Sequence, residues 1–310
     1  MKNYMKISTK KLTKIPLYLA RVLDSDNNQI KLEQLRVKEY SKKITSLRGT
    51  RIAIIPWSAG LDSTASLLMA LESGNRVITV NFNYGQQYWN KERETINKIR
   101  QMIFKRYPQA LSLWLQHKEV DISWLDKALK KEFPGEWQHI FPMRNFTILM
   151  EVMKVIPINN YKYREIWFSC VQGEIPFSGG DKSIVFLTEV ARIFSLNKFL
   201  LVLPLIGLNK TDIVKWALNK SYRFEIIKET ISCFSGKGEK HCGSCLACFN
   251  RLVGYYSAAV VKNCGFIPNY NLLKPFIDKY KSAFKKENYY SPSRKNDIFN
   301  LIYFLENKNL

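Results

Sequence analysis

Two groups of residues in this sequence have the types and spacing to do chemistry. The first is Trp57-Ser58-Ala59-Gly60-Leu61-Asp62-Ser63-Thr64, which follows the apolar run Ile52 to Pro56 and precedes an amphipathic stretch. A strand that ends in small residues and passes straight into a helix aims several backbone N–H groups, and the positive end of the helix dipole, at one point. That point binds phosphate. Gly60 lets the backbone approach an anion, Ser58, Ser63 and Thr64 add hydroxyl donors, and Asp62 offers an oxygen to Mg²⁺ riding on the phosphates. The lysine and spacing of GxxxxGK[ST] are missing, so this is not a Walker loop. An ordinary turn capped by Ser or Asp would use the same residues without a ligand.

The second group is Cys233, Cys242, Cys245 and Cys248, four of the six cysteines. CxxC turns aim two sulfurs at one place, and two more thiolates close a tetrahedral Zn²⁺ shell. A shell filled by protein leaves no position for water, so the expected zinc is structural. An iron–sulfur cluster accepts the same four thiolates, and disulfides are the third reading. Gly243 suits the tight turn, while Lys237, Lys240 and Arg251 would soften the negative charge of the centre. Cys170 and Cys264 lack such company, and Cys170 reads as a small buried hydrophobe. His117, His139 and His241 have no carboxylate paired with them in sequence and receive no catalytic role, although His241 adjoins Cys242.

A third feature lies after the apolar run Phe199 to Leu205. There IGLNKTDIVKWAL starts a helix with Asn209 or Thr211 as its cap and Lys210 at its entrance, where an ammonium group can reach phosphate.

These residues need a scaffold. From residue 51 to about 220, RIAIIPW, VITVNFNYG, ALSLWLQH, REIWFSCV and FLLVLPL read as strands. Amphipathic stretches separate them, such as Ser63 to Glu72, which Gly74 can end, and Gln87 to Tyr107. The alternation predicts an α/β fold with a mostly parallel, doubly wound sheet covered on both faces. Residues 1–50 form a small N-terminal appendage in which Asp24 to Asn28 could turn a β-hairpin. A phosphate-binding α/β domain is expected over 51–225, and a zinc-binding helical module over 226–310. Helices are expected at Leu252 to Val261, Leu272 to Lys285 and Ile298 to Glu306, with SPSRKND as a break before the last.

The formal net charge of +22 over 310 residues, with pI ≈ 9.7, permits a nucleic-acid partner. Lysine scattered among Asn, Ile and Tyr has a plainer origin in coding bias, and a small anionic substrate needs far fewer charges, so nucleic acid is not the favoured partner. No run approaches eighteen apolar residues and the Lys-rich start has no signal-peptide block, which leads to the expectation of a cytoplasmic protein without a membrane span.

WSAGLDST resembles the SGGxDS loop of the ATP pyrophosphatase (PP-loop) superfamily, whose members cleave ATP between the α and β phosphates to adenylate a substrate. Ala59 stands at the commoner second glycine, and a positive φ there would strain the loop by about 1 kcal/mol. In the superfamily a lysine corresponding to Lys210 contacts the nucleotide phosphates. With SCFSGKGEKHCGSCLACFNR added, the chain from about Ile52 to Arg251 resembles the 7-cyano-7-deazaguanine synthase family, QueC. NYGQQY (Asn83 to Tyr88) is similar to its DYGQxH segment, FPMRN (Phe141 to Asn145) to its VPxRN, and PLIGLNKTD to its PL...KxE segment.

The resemblance implies ATP, Mg²⁺ and Zn²⁺ as cofactors, a 7-deazaguanine substrate and a homodimer. It implies Asp62, Lys210 and Arg144 as catalytic residues, and Ser58, Ala59, Gly60, Leu61, Ser63, Thr64, Tyr84 and Gln86 as nucleotide contacts. Asn145, Phe177, Ser178, Gly179 and Asp181 would line the base. Arg144 also reads as a surface ion pair ahead of a helix at Asn145 to Val155.

Departures from the family accompany the match. Asn83 replaces an aspartate, Met143 replaces a glycine, and EIPFSGGDKS (Glu174 to Ser183) lacks the family's following YPDCR. With about fifty extra residues at each end, these departures suggest the QueC-like branch of bacterial antiviral operons of the CBASS and Qat types, in which a protein amine would replace ammonia as acceptor. The housekeeping nitrile synthase, a tRNA-thiolating PP-loop enzyme and a nucleic-acid binder with a degenerate nucleotide site are the alternatives.

Overall fold

The computed structural model describes residues 51–132, 144–155, 163–171, 184–196, 199–235, 240–284 and 292–307. The N-terminal appendage, Phe141 to Met143 and the Phe177, Ser178, Gly179 and Asp181 segment lie outside them.

Five parallel strands make one sheet, β1 (Arg51–Pro56), β2 (Arg76–Asn83), β3 (Trp114–Asp121), β4 (Tyr163–Trp167) and β5 (Phe199–Val202), in the order β3-β2-β1-β4-β5. The central strand reads as a continuous apolar run because both of its faces are covered. Ala53, Ile55 and Trp57 face one core, Ile52 and Ile54 the other, which is the two-residue alternation of a strand. Ile54 pairs with Ile78 on β2 and Ile166 on β4.

Helices cover both faces. The first half contributes α1 (Leu61–Glu72), α2 (Trp89–Arg106), the four-residue α3 (Ala110–Leu113), α4 (Ser123–Glu132), α5 (Arg144–Lys154) and α6 (Ile184–Leu196). The second half contributes α7 (Lys210–Leu218), α8 (Ser221–Lys228), α9 (Leu246–Ser257), α10 (Tyr270–Phe284) and α11 (Pro292–Asn307). One core joins α1, α2 and α7 to α11 with that face of the sheet, from Ala53 to Leu305. The other packs α5 and α6 against the opposite face through Leu149, Val152, Leu187 and Phe194.

Gly74 does end α1. Its φ is 75°, and the N–H groups of Gly74 and Asn75 bond back to the carbonyls of Leu71 and Ala70.

Two expectations need correction. ALSLWLQH is not all strand: Ala110–Leu113 are helical and β3 runs on to Asp121. As an edge strand it buries only Trp114 fully, so its polar half carries no alternation to read. SPSRKND is not a break throughout either. Helix α11 starts at Pro292, a first-turn position where proline's missing N–H costs nothing.

The strand order reverses at β1, with β2 and β3 on one side of it and β4 and β5 on the other. Ligands of doubly wound sheets bind in the crevice at the carboxyl ends of strands at such a reversal. A cavity of about 520 Å³ opens there, against the ends of β1, β2 and β4.

Candidate functional site

The loop after β1 builds one wall of this cavity. Trp57 N–H donates to the Val80 carbonyl at 2.8 Å, which carries the sheet ladder one residue past β1. Ala59 then turns with φ 51°, so the left-handed position falls on the alanine and the loop stores the expected strain, about 1 kcal/mol. Its carbonyl accepts the Ile231 N–H at 3.0 Å. Gly60 is the N-cap of α1 with φ −71°. Its glycine character therefore supplies space, since a Cβ would stand 3.3 Å from Ser58 Oγ.

The loop hydroxyls divide between two tasks. Ser58 and Ser63 line the cavity with Gly60, Leu61 and Asp62. Their oxygens are 3.3 Å apart, and Ser63 Oγ also accepts from the Ser58 N–H. Thr64 is wholly buried and accepts from Trp57 Nε1 at 3.0 Å. It braces the loop from behind.

Helix α7 brings its first residue across. Asn209 is the cap: its side chain accepts from the Asp212 N–H and Asp212 accepts from the Asn209 N–H, both at 2.9 Å. This reciprocal box sets Lys210, whose Nζ donates to Asp62 Oδ2 at 2.6 Å. Both side chains are largely withdrawn from water and line the same cavity.

Beyond the end of β2 lies a polar cluster. Gln86 Oε1 accepts from the Tyr84 N–H at 2.8 Å, while its Nε2 donates to the Phe82 carbonyl at 2.9 Å and to Glu92 Oε2 at 2.7 Å. Gln86 thus shapes the turn, and Tyr84, Tyr88 and Glu92 form the cavity surface. The two tyrosine hydroxyls bond to each other, and Arg144 lies over the Tyr84 ring at 5.5 Å from its centroid. Burial pushes the Glu92 carboxyl up to about 8, against the opposing pull of the Gln86 hydrogen bond and the Arg144 charge. Glu92 therefore stands as a neutral acid at pH 7, able to donate as well as accept. Asn145 is buried and also lines the cavity. Asn83, where the family carries aspartate, donates to Asp121 Oδ2 at 3.1 Å and accepts from Gly85 N–H.

Tyr88 and Glu92 are site residues that reading along the chain did not pick out. A signal for Glu92 exists: with Ile96, Ile99 and Ile103 it continues the buried stripe of α2.

The cysteines converge as their spacing demands. The sulfurs of Cys233, Cys242, Cys245 and Cys248 all lie within 4.8 Å of one another, and Cys242 and Cys248 are 3.9 Å apart. An ideal tetrahedron with Zn–S bonds of about 2.3 Å has an edge of about 3.8 Å, so the set fits that ion. Gly243 makes the turn at φ 68°. His241 points elsewhere, its Nε2 accepting from the Ser232 N–H at 3.2 Å.

The charges expected to soften the centre act otherwise. Lys240 pairs with Glu229 at 3.0 Å, and Lys237 lies outside the described residues. Arg251 is fully buried, binding the Cys264 and Lys228 carbonyls, the Thr230 hydroxyl and the Tyr255 hydroxyl. Cys233 also lines the cavity, so the four-cysteine cluster and the loop after β1 share a boundary.

Among the described residues no helix is long and apolar enough to cross a membrane. The family model described as queuosine biosynthesis protein QueC matches residues 52–259. The chain is similar to the 7-cyano-7-deazaguanine synthase of Methanococcus maripaludis strain C5, 28% identical over 239 residues, covering 67% of this chain and 96% of that one. It is similar also to that of Methanocaldococcus jannaschii, 27% identical over 241 residues, covering 69% and 99%. Among solved structures, a 4-thiouridine synthetase–RNA complex with bound ATP is 15% identical over 80% of this chain and 53% of the other, at TM-score 0.40, too slight a likeness to bear on function. The matched span holds the loop after β1, Lys210, the buried cluster around Glu92 and all four convergent cysteines. This chain belongs to the QueC family.

Proposed function

We propose that this protein is an ATP-dependent enzyme that adenylates the carboxylate of a 7-carboxy-7-deazaguanine and passes the acyl group to an amine. A carboxylate oxygen attacks the α-phosphorus, and pyrophosphate leaves with the bonding electron pair. The amine nitrogen then attacks the acyl carbon, AMP departs with its electron pair, and the nitrogen loses a proton.

The observation that carries this reading is the Asp62–Lys210 pair, 2.6 Å apart on the lip of a cavity lined by the loop after β1. Lys210 would neutralise charge on the departing pyrophosphate, with donors from Ser58, Ser63 and the loop backbone. Mg²⁺ held by Asp62 would supply further charge compensation on the phosphates. Arg144, Asn145 and the neutral Glu92 would orient the base. Zn²⁺ on the four cysteines would hold the loop that carries Ile231 and Cys233 against the phosphate loop.

For the acceptor we propose a polypeptide amine, in the manner of the family branch found in antiviral operons. Met143 and the missing YPDCR support it. Incubation with ATP, the acid and either ammonia or candidate protein partners, followed by mass spectrometry, separates the two acceptors. A partner heavier by the deazaguanine acyl group is expected; a clean nitrile made from free ammonia would reject protein conjugation and favour the housekeeping synthase. In either case Asp62→Asn and Lys210→Met should lower AMP formation by roughly 10²–10³-fold with their melting temperatures retained.

A further inference from the structure

The family match ends at residue 259, yet the cavity wall does not. Tyr280 on α10 and Arg294 on α11 line it, together with Asn250 on α9. Arg294 is 2% exposed and Tyr280 6%. Asn250 Oδ1 accepts from the Tyr280 hydroxyl at 3.1 Å and from Arg294 Nη2, so the three side chains form one unit.

Helix α11 is also tied to the entrance of α7. Asp297, one turn beyond Arg294, accepts from Asn209 Nδ2 at 3.2 Å and from Thr211 Oγ1 at 2.8 Å, the residues on either side of Lys210. One face of α11 therefore braces the helix that presents Lys210 and places a third cation, beside Lys210 and Arg144, in the same cavity. A guanidinium is a planar fork of donors matched to carboxylate and phosphate oxygens, and in a site withdrawn from water its pairing with an anion is strengthened.

We propose that Arg294 is an oxyanion-binding residue of this site, supplied by a helix outside the matched span, and that its ligand is an oxyanion of a substrate. The proposal rests on the reading under Proposed function, which offers two such groups, a nucleotide phosphate and the deazaguanine carboxylate.

Equilibrium binding to the full chain tests it, with Arg294→Met and Arg294→Lys compared with wild type. Melting curves and metal content serve as checks of folding. The probes are ATP with Mg²⁺ against adenosine, and 7-carboxy-7-deazaguanine against its uncharged 7-carboxamide. Arg294→Met should lose about tenfold or more of one anion-over-neutral preference, with the neutral ligand bound as before. Loss of the ATP preference identifies a phosphate as the ligand, and loss of the acid preference identifies the carboxylate. Arg294→Lys, which keeps the charge without the fork, should recover part of the loss. Both preferences intact in folded Arg294→Met overturn the proposal; should that variant fail to fold, both intact in Arg294→Lys do the same. A wild-type chain that binds neither ATP nor the acid overturns the enzymatic reading itself, a result distinct from the failure of Arg294 alone.

Discussion

Glu92 shows how far a single residue can depart from its type. Its carboxyl titrates near 8 in the folded chain against an ordinary 4.5, because burial penalises the ionised form more than Arg144 and Gln86 favour it. Between those values the folded state holds a proton that the unfolded chain has released. Its contribution is then fully present at low pH and is lost as pH rises through about 8. Glu92→Gln should melt close to wild type at about pH 5 and several degrees above it at about pH 8.5. Equal melting temperatures at the higher pH would show that the carboxyl is not held neutral. Residue types and spacing made the turn after β1 and the convergence of the four sulfurs legible, since each motif brings its own atoms together locally. Glu92 was hidden because a carboxylate in a helix's first turn ordinarily faces water; only its place on the isoleucine stripe of α2 marks it as buried. Thr64 and Gln86 were legible as polar groups of the right motifs, but which of them face the cavity depends on partners such as Trp57, seven residues away in sequence from Thr64.

Among elements, the contact that governs the site is between α9 and α7. Gly254 is where they touch: a Cβ there would lie 3.0 Å from Lys210 Cβ and 3.1 Å from the Lys210 carbonyl carbon. In an exposed helix, Gly→Ala gains about 1 kcal/mol. Here the added methyl meets the backbone of α7 and must push it away from the phosphate loop. Gly254→Ala is therefore expected to weaken ATP binding by about three- to tenfold and to lower the melting temperature, read by titration and thermal scan; a more stable variant of unchanged affinity would contradict the packing. Central elements were legible because β1 and β2, buried on both faces, read as unbroken apolar runs. Those at the margins were less so. β3 is a polar edge, and α11 starts at a proline that looks like a break until its first-turn position is recognised.

Across the whole molecule, two regions distant in sequence act as one. Cys233 stands two residues after Ile231, whose N–H holds the carbonyl of the strained Ala59. Removing metal from the four cysteines with a chelator should lower the melting temperature and weaken ATP binding together, measured on the same stripped sample and reversed by Zn²⁺. An ATP affinity unchanged after metal loss would separate the two sites. The net charge of +22 adds little to this picture, since the cations with assigned work are few, the buried Lys210, Arg251 and Arg294 and the half-buried Arg144. What composition could not convey was the strand order, and with it the crevice, because the reversal at β1 is decided by pairing across long stretches of chain.

That distance has a consequence in time. Asp62 and Lys210 are 148 positions apart, and Asp297 reaches back 88 to Asn209, so these contacts close only after most of the loop entropy between them has been overcome. On dilution from denaturant, the far-ultraviolet helix signal should return first and nucleotide capture last, leaving an interval in which the chain is folded by its spectrum and inert by its chemistry. Simultaneous recovery of both signals in stopped-flow traces would show instead that the Asp62–Lys210 pair belongs to the folding nucleus.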